Sequence, residues 1–187
     1  MNRLRLLTVL IGLVGSAYSS PIVSVAVIGS ATVGGTFDVE VRALDFTNAY
    51  AFQFDLLFDP TLVAALSVSQ GTLLGGSGGF FPGLIDNVQG SISFVLDSLT
   101  GLVPGVTGDG SLAIITFSGL APGTTQLSLA NVILLDSDLA DVPFSSQNGS
   151  VTLNADTGVP EPSTLPAILV GWGALTALRY HRRRRVR

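Results

Sequence analysis

The sequence predicts an all-β fold, a two-sheet β-sandwich of eight to nine strands that occupies residues 21–154. The first supporting observation is the alternation of apolar and polar residues in Thr36–Asp45 and Ala51–Asp59, which is the period of half-buried antiparallel strands. The second is the regular occurrence of turn-forming pairs, such as Asp59-Pro60 and Asn148-Gly149, between the apolar segments. The third is the lack of helical periodicity outside the two chain ends, so short strands joined by turns explain the middle of the chain best.

Each predicted strand follows from its own pattern. In the alternating segments the apolar residues are expected to face the core, and Ser111–Gly119 is more continuously apolar, as a strand covered on both faces would be. The predicted strands are Ile22–Ile28, Thr36–Asp45, Ala51–Asp59, Leu62–Ser69, Ser91–Asp97, Ser111–Gly119, Thr125–Leu134 and Gly149–Leu153. The side chains predicted to face inward are Phe37, Val39, Val41 and Ala43, then Phe52, Phe54, Leu56 and Phe58, then Ile92, Phe94 and Leu96.

Charge is distributed unevenly along the chain and excludes several functions. Residues 1–20 carry +2, residues 21–158 carry −11 and residues 159–187 carry +5, which together give the net charge of −4. An acidic domain without lysine is a poor partner for nucleic acid, because phosphate binding relies on basic side chains. The single histidine, His181, lies in the basic tail, and the chain has no cysteine. Acyl-transfer triads and histidine metal sites are therefore excluded from the domain, and no spacing singles out a carboxylate pair, so we expect no enzyme activity.

The N-terminus has the features of a secretory signal peptide, predicted over residues 1–19. Arg3 and Arg5 form a basic region, Leu6–Val14 is apolar, and small residues follow at Gly15-Ser16-Ala17. Cleavage is expected after Ala17 or after Ser19. A permanent N-terminal membrane helix is the alternative, but the apolar stretch is too short for one. The chain is therefore predicted to be exported.

The C-terminus reads as a membrane sorting segment that follows a linker at residues 155–164. The linker contains a polar motif made of Val159, Pro160, Glu161, Pro162 and Ser163. The apolar run Leu165–Leu178 then covers only about 21 Å of a hydrocarbon core of roughly 30 Å, which suits a halt in export better than a permanent anchor. A cluster of arginines is expected to hold the end of the segment 165–187 in the cytoplasm: Arg179, Arg182, Arg183, Arg184, Arg185 and Arg187.

This tail closely resembles the PEP-CTERM sorting signal of exported proteins in Gram-negative bacteria. Pro160-Glu161-Pro162 is the triplet that gives the signal its name, and the apolar span and basic end follow it in the expected order. The resemblance implies recognition and removal of the tail by a membrane-embedded exosortase, in bacteria that make exopolysaccharide. It also implies anchoring in the inner membrane during sorting, and later residence in the cell envelope or extracellular matrix.

The middle of the chain resembles a cohesin domain. The segments that carry the resemblance are Phe58–Val63, with its Asp-Pro pair, the run Gly108–Phe117, and the last strand Gly149–Leu153. The resemblance covers roughly residues 22–154 and implies a nine-stranded jelly-roll sandwich related to carbohydrate-binding modules. The best-known role of that family is to hold dockerin-bearing enzymes on extracellular polysaccharide-degrading complexes.

Two small clusters are candidate binding sites. Asp136, Asp138 and Asp141 could supply carboxylates to Ca²⁺, although a solvated acidic loop explains them as well, and no other cofactor is expected. Phe80 and Phe81 lie in a glycine-rich loop that could stack on a sugar ring or, alternatively, could tuck under the edge of the sandwich.

Taken together, these features predict a non-enzymatic, exported module that binds an extracellular polysaccharide or a matrix protein. Two alternatives stay open at this point. One is a dockerin-binding cohesin of a polysaccharide-degrading assembly, and the other is a structural matrix protein without a discrete ligand. A shared sandwich fold does not separate these functions.

Overall fold

A computed structural model describes residues 20–76 and 78–155, and its regular structure is entirely β. The strands are β1 (Ile22–Ile28), β2 (Thr36–Leu57), β3 (Val63–Gln70), β4 (Leu84–Asp86), β5 (Ser91–Ser98), β6 (Val106–Gly119), β7 (Gly123–Asp136), β8 (Ser145–Gln147) and β9 (Gly149–Leu153). The predicted all-β class is confirmed. A search of these same residues for a helix long and apolar enough to cross a membrane finds none.

The strands form two layers that share the long strand β2. The N-terminal half of β2 pairs with β1 and β6, which gives a first sheet in the order β8-β1-β2-β6-β3. The C-terminal half of β2 pairs with β5 and β7, and β4 and β9 extend this second sheet at its two edges. Most pairings are antiparallel, whereas β8 runs parallel to β1. The predicted sandwich is thus confirmed, and a single strand connects its layers.

The two strands predicted at Thr36–Asp45 and Ala51–Asp59 are in fact one strand, so that separation was wrong. The chain bends within β2 at Asp45 and Asn48, whose φ angles are 56° and 60°. Both residue types tolerate this left-handed conformation better than most. The bend is held from β6, because the Asp45 N–H donates to Asp109 Oδ1 at 2.8 Å and the Asn48 N–H donates to Thr107 Oγ1 at 3.0 Å.

The core lies between the two sheets and draws large side chains from both. Val39 on the first sheet and Phe54 on the second are completely buried in the same apolar cluster. Phe58, just beyond β2, packs edge-on against Phe117 of β6 with ring centroids 5.2 Å apart. The inward faces predicted for Phe37–Ala43 and Phe52–Phe58 are confirmed, since every apolar residue named for them is buried.

The inward face predicted for β5 is only partly correct. Ile92 is fully buried as expected, but Phe94 is 49% exposed, and Val95 and Asp97 are buried in its place. Ser93 and Phe94 together face the single residue Asp55 of β2, which is a β-bulge. Because the bulge inserts one extra residue, the alternation reverses after it. The three-residue strands β4 and β8 were not predicted at all.

The predicted sorting segments lie outside the described residues. This holds for the signal peptide at residues 1–19, for the Pro160-Glu161-Pro162 motif, and for the apolar span with its arginines. Contacts divide the chain into two units, Met1–Ala155 and Asp156–Arg187, and the sandwich belongs to the first. Export and sorting therefore stay predictions.

Candidate functional site

The outward side of the second sheet carries a group of exposed apolar residues that we call the apolar face. Strands β5 and β2 alternate between buried core residues and outward residues, and all three residues of the edge strand β4 are exposed. Several of the outward residues are large and apolar. The apolar face consists of Leu57, Phe81, Leu84, Phe94 and Ile133, each at least 39% exposed. Soluble domains seldom group such residues on one sheet unless the surface binds something.

Two neighbouring aromatic rings lie on the apolar face. Phe81 precedes β4 and pairs with Leu96 of β5 through two backbone hydrogen bonds of 2.9 and 3.1 Å. Its ring meets that of Phe94 at an interplanar angle of 66°, with centroids 6.4 Å apart. The left-handed backbone of Phe94, with φ of 64°, directs the side chain outward instead of into the core.

A carboxylate is fixed among these apolar side chains. Asp55 is half-buried on β2, and each of its oxygens accepts a hydrogen bond from a neighbouring strand. The Phe94 N–H donates to Oδ1 at 2.7 Å, and Asn131 Nδ2 donates to Oδ2 at 2.6 Å. Asn131 also has a positive φ, 48°, and lies at a bulge of β7. Two bulges on opposite sides of β2 therefore hold one carboxylate in place.

The outward side of the first sheet is different in character. Asp38, Glu40 and Arg42 alternate there along β2 between the buried residues of the core. Asp38 accepts a hydrogen bond from Thr116 Oγ1 of β6 at 2.8 Å. Ile28 of β1 and Leu66 of β3 are exposed on strands of this sheet as well. The second sheet has more large exposed apolar side chains on one side, which makes the apolar face the better candidate for binding.

The two predicted loop phenylalanines have different environments. Phe80 is half-buried and packs against the core, whereas Phe81 is exposed and belongs to the apolar face. Phe80 thus packs as the tucked alternative describes, Phe81 is accessible, and ligand binding by Phe80 stays untested. A ligand-binding role for Phe81 stays a prediction.

The three aspartates predicted to bind Ca²⁺ are not brought together. Within residues 20–76 and 78–155, no group of three or more acidic, histidine or cysteine side chains is placed to hold a metal ion. Asp136 Oδ1 instead accepts hydrogen bonds from the backbone N–H groups of Asp138 and Ala140, both at 2.9 Å. Asp138 and Asp141 are exposed. The acidic segment is therefore a turn that Asp136 stabilises, and Ca²⁺ binding by the three aspartates stays a prediction.

A carboxylate pair at another place in the domain has a structural explanation. Asp45 and Asp109 line one open depression beside the bend of β2. Asp109 Oδ1 accepts the backbone N–H of Asp45, so its role there is to hold the bend. Thr107 lines the same depression, and its Oγ1 accepts the Asn48 N–H, so it also holds the bend.

Sequence reasoning missed most of the apolar face. Asp55, Leu84 and Ile133 were not singled out, because each is ordinary within its own segment. One signal was present: Leu57 stands at an outward position of Ala51–Asp59, where Gln53, Asp55 and Asp59 are the other members. Single exposed apolar residues are common on protein surfaces, so this signal becomes informative only beside the other members of the apolar face.

A comparison with known protein families agrees with the β-sandwich seen in the structure. Residues 23–153 match the family of cohesin domains. The chain belongs to the cohesin family. This confirms the resemblance seen in the sequence of its middle part, whereas a comparison with curated proteins finds no match for the chain.

Solved structures of other cohesins have the same fold as this cohesin. One is a non-cellulosomal cohesin from the archaeon Archaeoglobus fulgidus, with 19% identity and a TM-score of 0.61, covering 74% of this chain and 94% of that one. Another is a type II cohesin from a cohesin–X–dockerin complex of Acetivibrio cellulolyticus, with 19% identity and a TM-score of 0.62, covering 72% and 100%. A third comes from a type I cohesin–dockerin complex of Clostridium thermocellum, with 15% identity and a TM-score of 0.61, covering 73% and 100%.

Proposed function

We propose that this chain is an exported, non-enzymatic cohesin whose apolar face binds a dockerin-bearing protein. The observation that carries the proposal is the group of five large exposed apolar side chains on the second sheet, against two, Ile28 and Leu66, on strands of the first sheet. Family membership supports it, because two of the similar structures are cohesins in complex with dockerins. A protein partner is therefore favoured over the polysaccharide that the sequence first suggested.

The partner need not belong to a cellulose-degrading assembly. One similar structure is described as a non-cellulosomal cohesin, so the fold is also found outside such assemblies. We infer that a dockerin-bearing protein of the cell surface or extracellular matrix is held by this cohesin. The acidity of the domain and the sorting tail suit that location.

Mutation of the apolar face tests this proposal. Phe94→Asn removes the exposed ring and keeps a residue that tolerates a positive φ, so binding to a panel of type I and type II dockerins should weaken by roughly tenfold or more. Ile28→Asn is the matched control, because Ile28 is equally exposed, at 47%, on β1 of the other sheet. Equal affinities of the wild type and the Phe94→Asn variant would show that the contact lies at another surface.

Polysaccharide binding is a second candidate, favoured by the exposed ring pair of Phe81 and Phe94. Sugar rings stack on aromatic faces, and Phe81 and Phe94 are exposed rings inclined at 66° to each other, so a sugar would stack on one of them. Binding of extracellular glycans by the same two variants separates the candidates. Loss of glycan binding in Phe94→Asn, without any dockerin binding by the wild type, would favour this candidate. A protein that binds neither would suit a structural matrix role.

We also propose that the chain is delivered by its two terminal segments. The signal peptide would start export, and an exosortase of a Gram-negative bacterium would remove the tail near Pro160–Pro162 while the span Leu165–Leu178 halts in the inner membrane. Mass spectrometry of protein released from the cell surface should then show loss of the arginine-rich end. Mature extracellular protein that still ends at Arg187 would contradict this.

A further inference from the structure

We propose that the partner places a positively charged side chain, an arginine or a lysine, on Asp55 at the centre of the apolar face. This inference rests on the proposed function and adds the chemistry of the partner. It is carried by the position of Asp55, by its hydrogen bonds, and by the distribution of charge over the described residues.

The carboxylate of Asp55 is prepared for a further contact. Each oxygen accepts one hydrogen bond, from the Phe94 N–H and from Asn131 Nδ2, and an ionised carboxylate offers about four acceptor positions in all. Acceptor capacity is therefore left over for a partner. Both donors come from bulges with positive φ, so the carboxylate is held before the partner arrives and little side-chain entropy is lost on binding.

Docking would remove water from this carboxylate. Asp55 lies between Leu57 and Phe94 on the apolar face, and a partner that covers those side chains also covers Asp55. Burying an ionised carboxylate is costly unless an opposite charge and hydrogen bonds compensate. The two existing donors are neutral, so a further neutral hydroxyl from the partner would leave the negative charge uncompensated.

This chain does not supply the missing positive charge. Among residues 20–155 Arg42 is the single basic side chain, and it lies on β2 in the first sheet, opposite Ser24 and Ser111. Ten aspartates and one glutamate accompany it in that range, among them the exposed Asp86 at the end of β4. A partner with an acidic contact surface would be repelled, whereas one with a basic surface would be attracted over a distance.

The test compares two neutralised aspartates in the full processed protein. Asp55→Asn removes the charge and keeps an oxygen for the Phe94 N–H, and its new amide nitrogen faces Asn131, whose amide must turn so that its oxygen accepts. Asp38→Asn is the matched control, because Asp38 is also half-buried and hydrogen-bonded, but on the other outer surface. The probe is the dockerin that binds the wild type most tightly. Asp55→Asn should raise Kd by roughly tenfold or more, and Asp38→Asn should change it less than about twofold.

Two further measurements separate a charge pair from a structural effect of the substitution. Raising NaCl from about 0.05 to about 0.5 M should weaken wild-type binding more than Asp55→Asn binding, because the pair is screened by salt. Replacing the basic residue of the dockerin that contacts the apolar face with Met should weaken the wild type and leave Asp55→Asn almost unchanged. Equal melting temperatures would confirm that the Asp55→Asn variant is folded.

The outcomes distinguish this inference from the proposed function. If a dockerin binds and Phe94→Asn weakens it, but Asp55→Asn binds equally well or more tightly, the partner carries no cation at this place and the inference is wrong. If no dockerin binds the wild type, the proposed function fails and the inference fails with it. An equal loss in both aspartate variants would point to general acidity and would also overturn a specific pair.

Discussion

The bulge at Phe94 can be tested by comparing glycine with alanine at the same position. At an ordinary strand position, a protein with glycine is less stable than the same protein with alanine by about 0.5–1 kcal/mol. The reason is that glycine gives the unfolded chain more conformational freedom, which folding must remove. A residue with a Cβ in the left-handed region costs about 1–2 kcal/mol, which glycine avoids. Since Phe94 has φ of 64°, the Phe94→Gly variant should be more stable than Phe94→Ala by about 1 kcal/mol.

Phe54 supplies the matched control on the neighbouring strand. It is fully buried and packs on Phe52 with ring centroids 6.1 Å apart. Phe54→Ala should lower the free energy of unfolding by about 3–5 kcal/mol, and Phe54→Gly should lower it further, because this residue lies in ordinary strand backbone. Phe94→Ala should cost only about 1–2 kcal/mol, since half of that side chain is already exposed.

Urea denaturation of the four variants provides the measurement, with the midpoint and the slope fitted separately. The order of stability at position 94 should be the reverse of that at position 54. If Phe94→Gly is less stable than Phe94→Ala, the backbone at this residue is ordinary strand. In that case the alternation continues through Phe94, and the apolar face loses its aromatic centre.

Two further predictions concern the edges of the sandwich. Asn87 joins the sheets by accepting the Ala65 N–H at 2.8 Å and donating to the Ala65 carbonyl at 3.0 Å, so Asn87→Ala should lower the free energy of unfolding in urea by about 1–3 kcal/mol. Gln89→Ala in the same turn should have little effect. The hydroxyl and the backbone N–H of Thr61 lower the pKa of Asp59 below its ordinary value of 3.8. As pH falls, Asp59 is therefore protonated in the unfolded chain before it is protonated in the folded protein. The stabilisation that Asp59 provides above pH 3.8 is lost as the pH falls through the lower pKa of the folded state. Asp59→Asn should narrow the difference in melting temperature between pH 6 and pH 3, and an unchanged difference would contradict this role.

Local patterns in the sequence were sufficient for the class of fold and for the core residues of β2. Strand residues alternate at a period of two whatever they pair with, so Phe37–Ala43 and Phe52–Phe58 could be assigned to the core without knowledge of their neighbours. The ordered segments of the cohesin resemblance added the family for the same reason, because each is a short run of consecutive residues. The tail motif at Pro160–Pro162 is likewise local, and its role stays a prediction.

Pairing between distant strands decided two features that the sequence predicted wrongly: the continuity of β2 and the outward direction of Phe94. Asp45 and Asn48 look like the end of one strand and the approach to another, yet contacts from β6 keep β2 continuous through them. Phe94 looks inward by alternation and is outward because Ser93 and Phe94 share one partner on β2. Neither effect is visible along the chain, since both depend on residues about 40 or more positions away.

For the candidate site as well, the sequence determined the composition of the domain, and strand pairing determined which residues lie together. The sequence alone determined that this is an acidic, all-β domain without histidine, cysteine or lysine, because composition and period are properties of the chain itself. The apolar face joins residues from four separate strands around Asp55, and only the register of the second sheet brings Leu84, Phe94 and Ile133 to one side. A binding surface of this kind is a property of strand pairing, in which a shift by one residue exchanges the inner and outer faces.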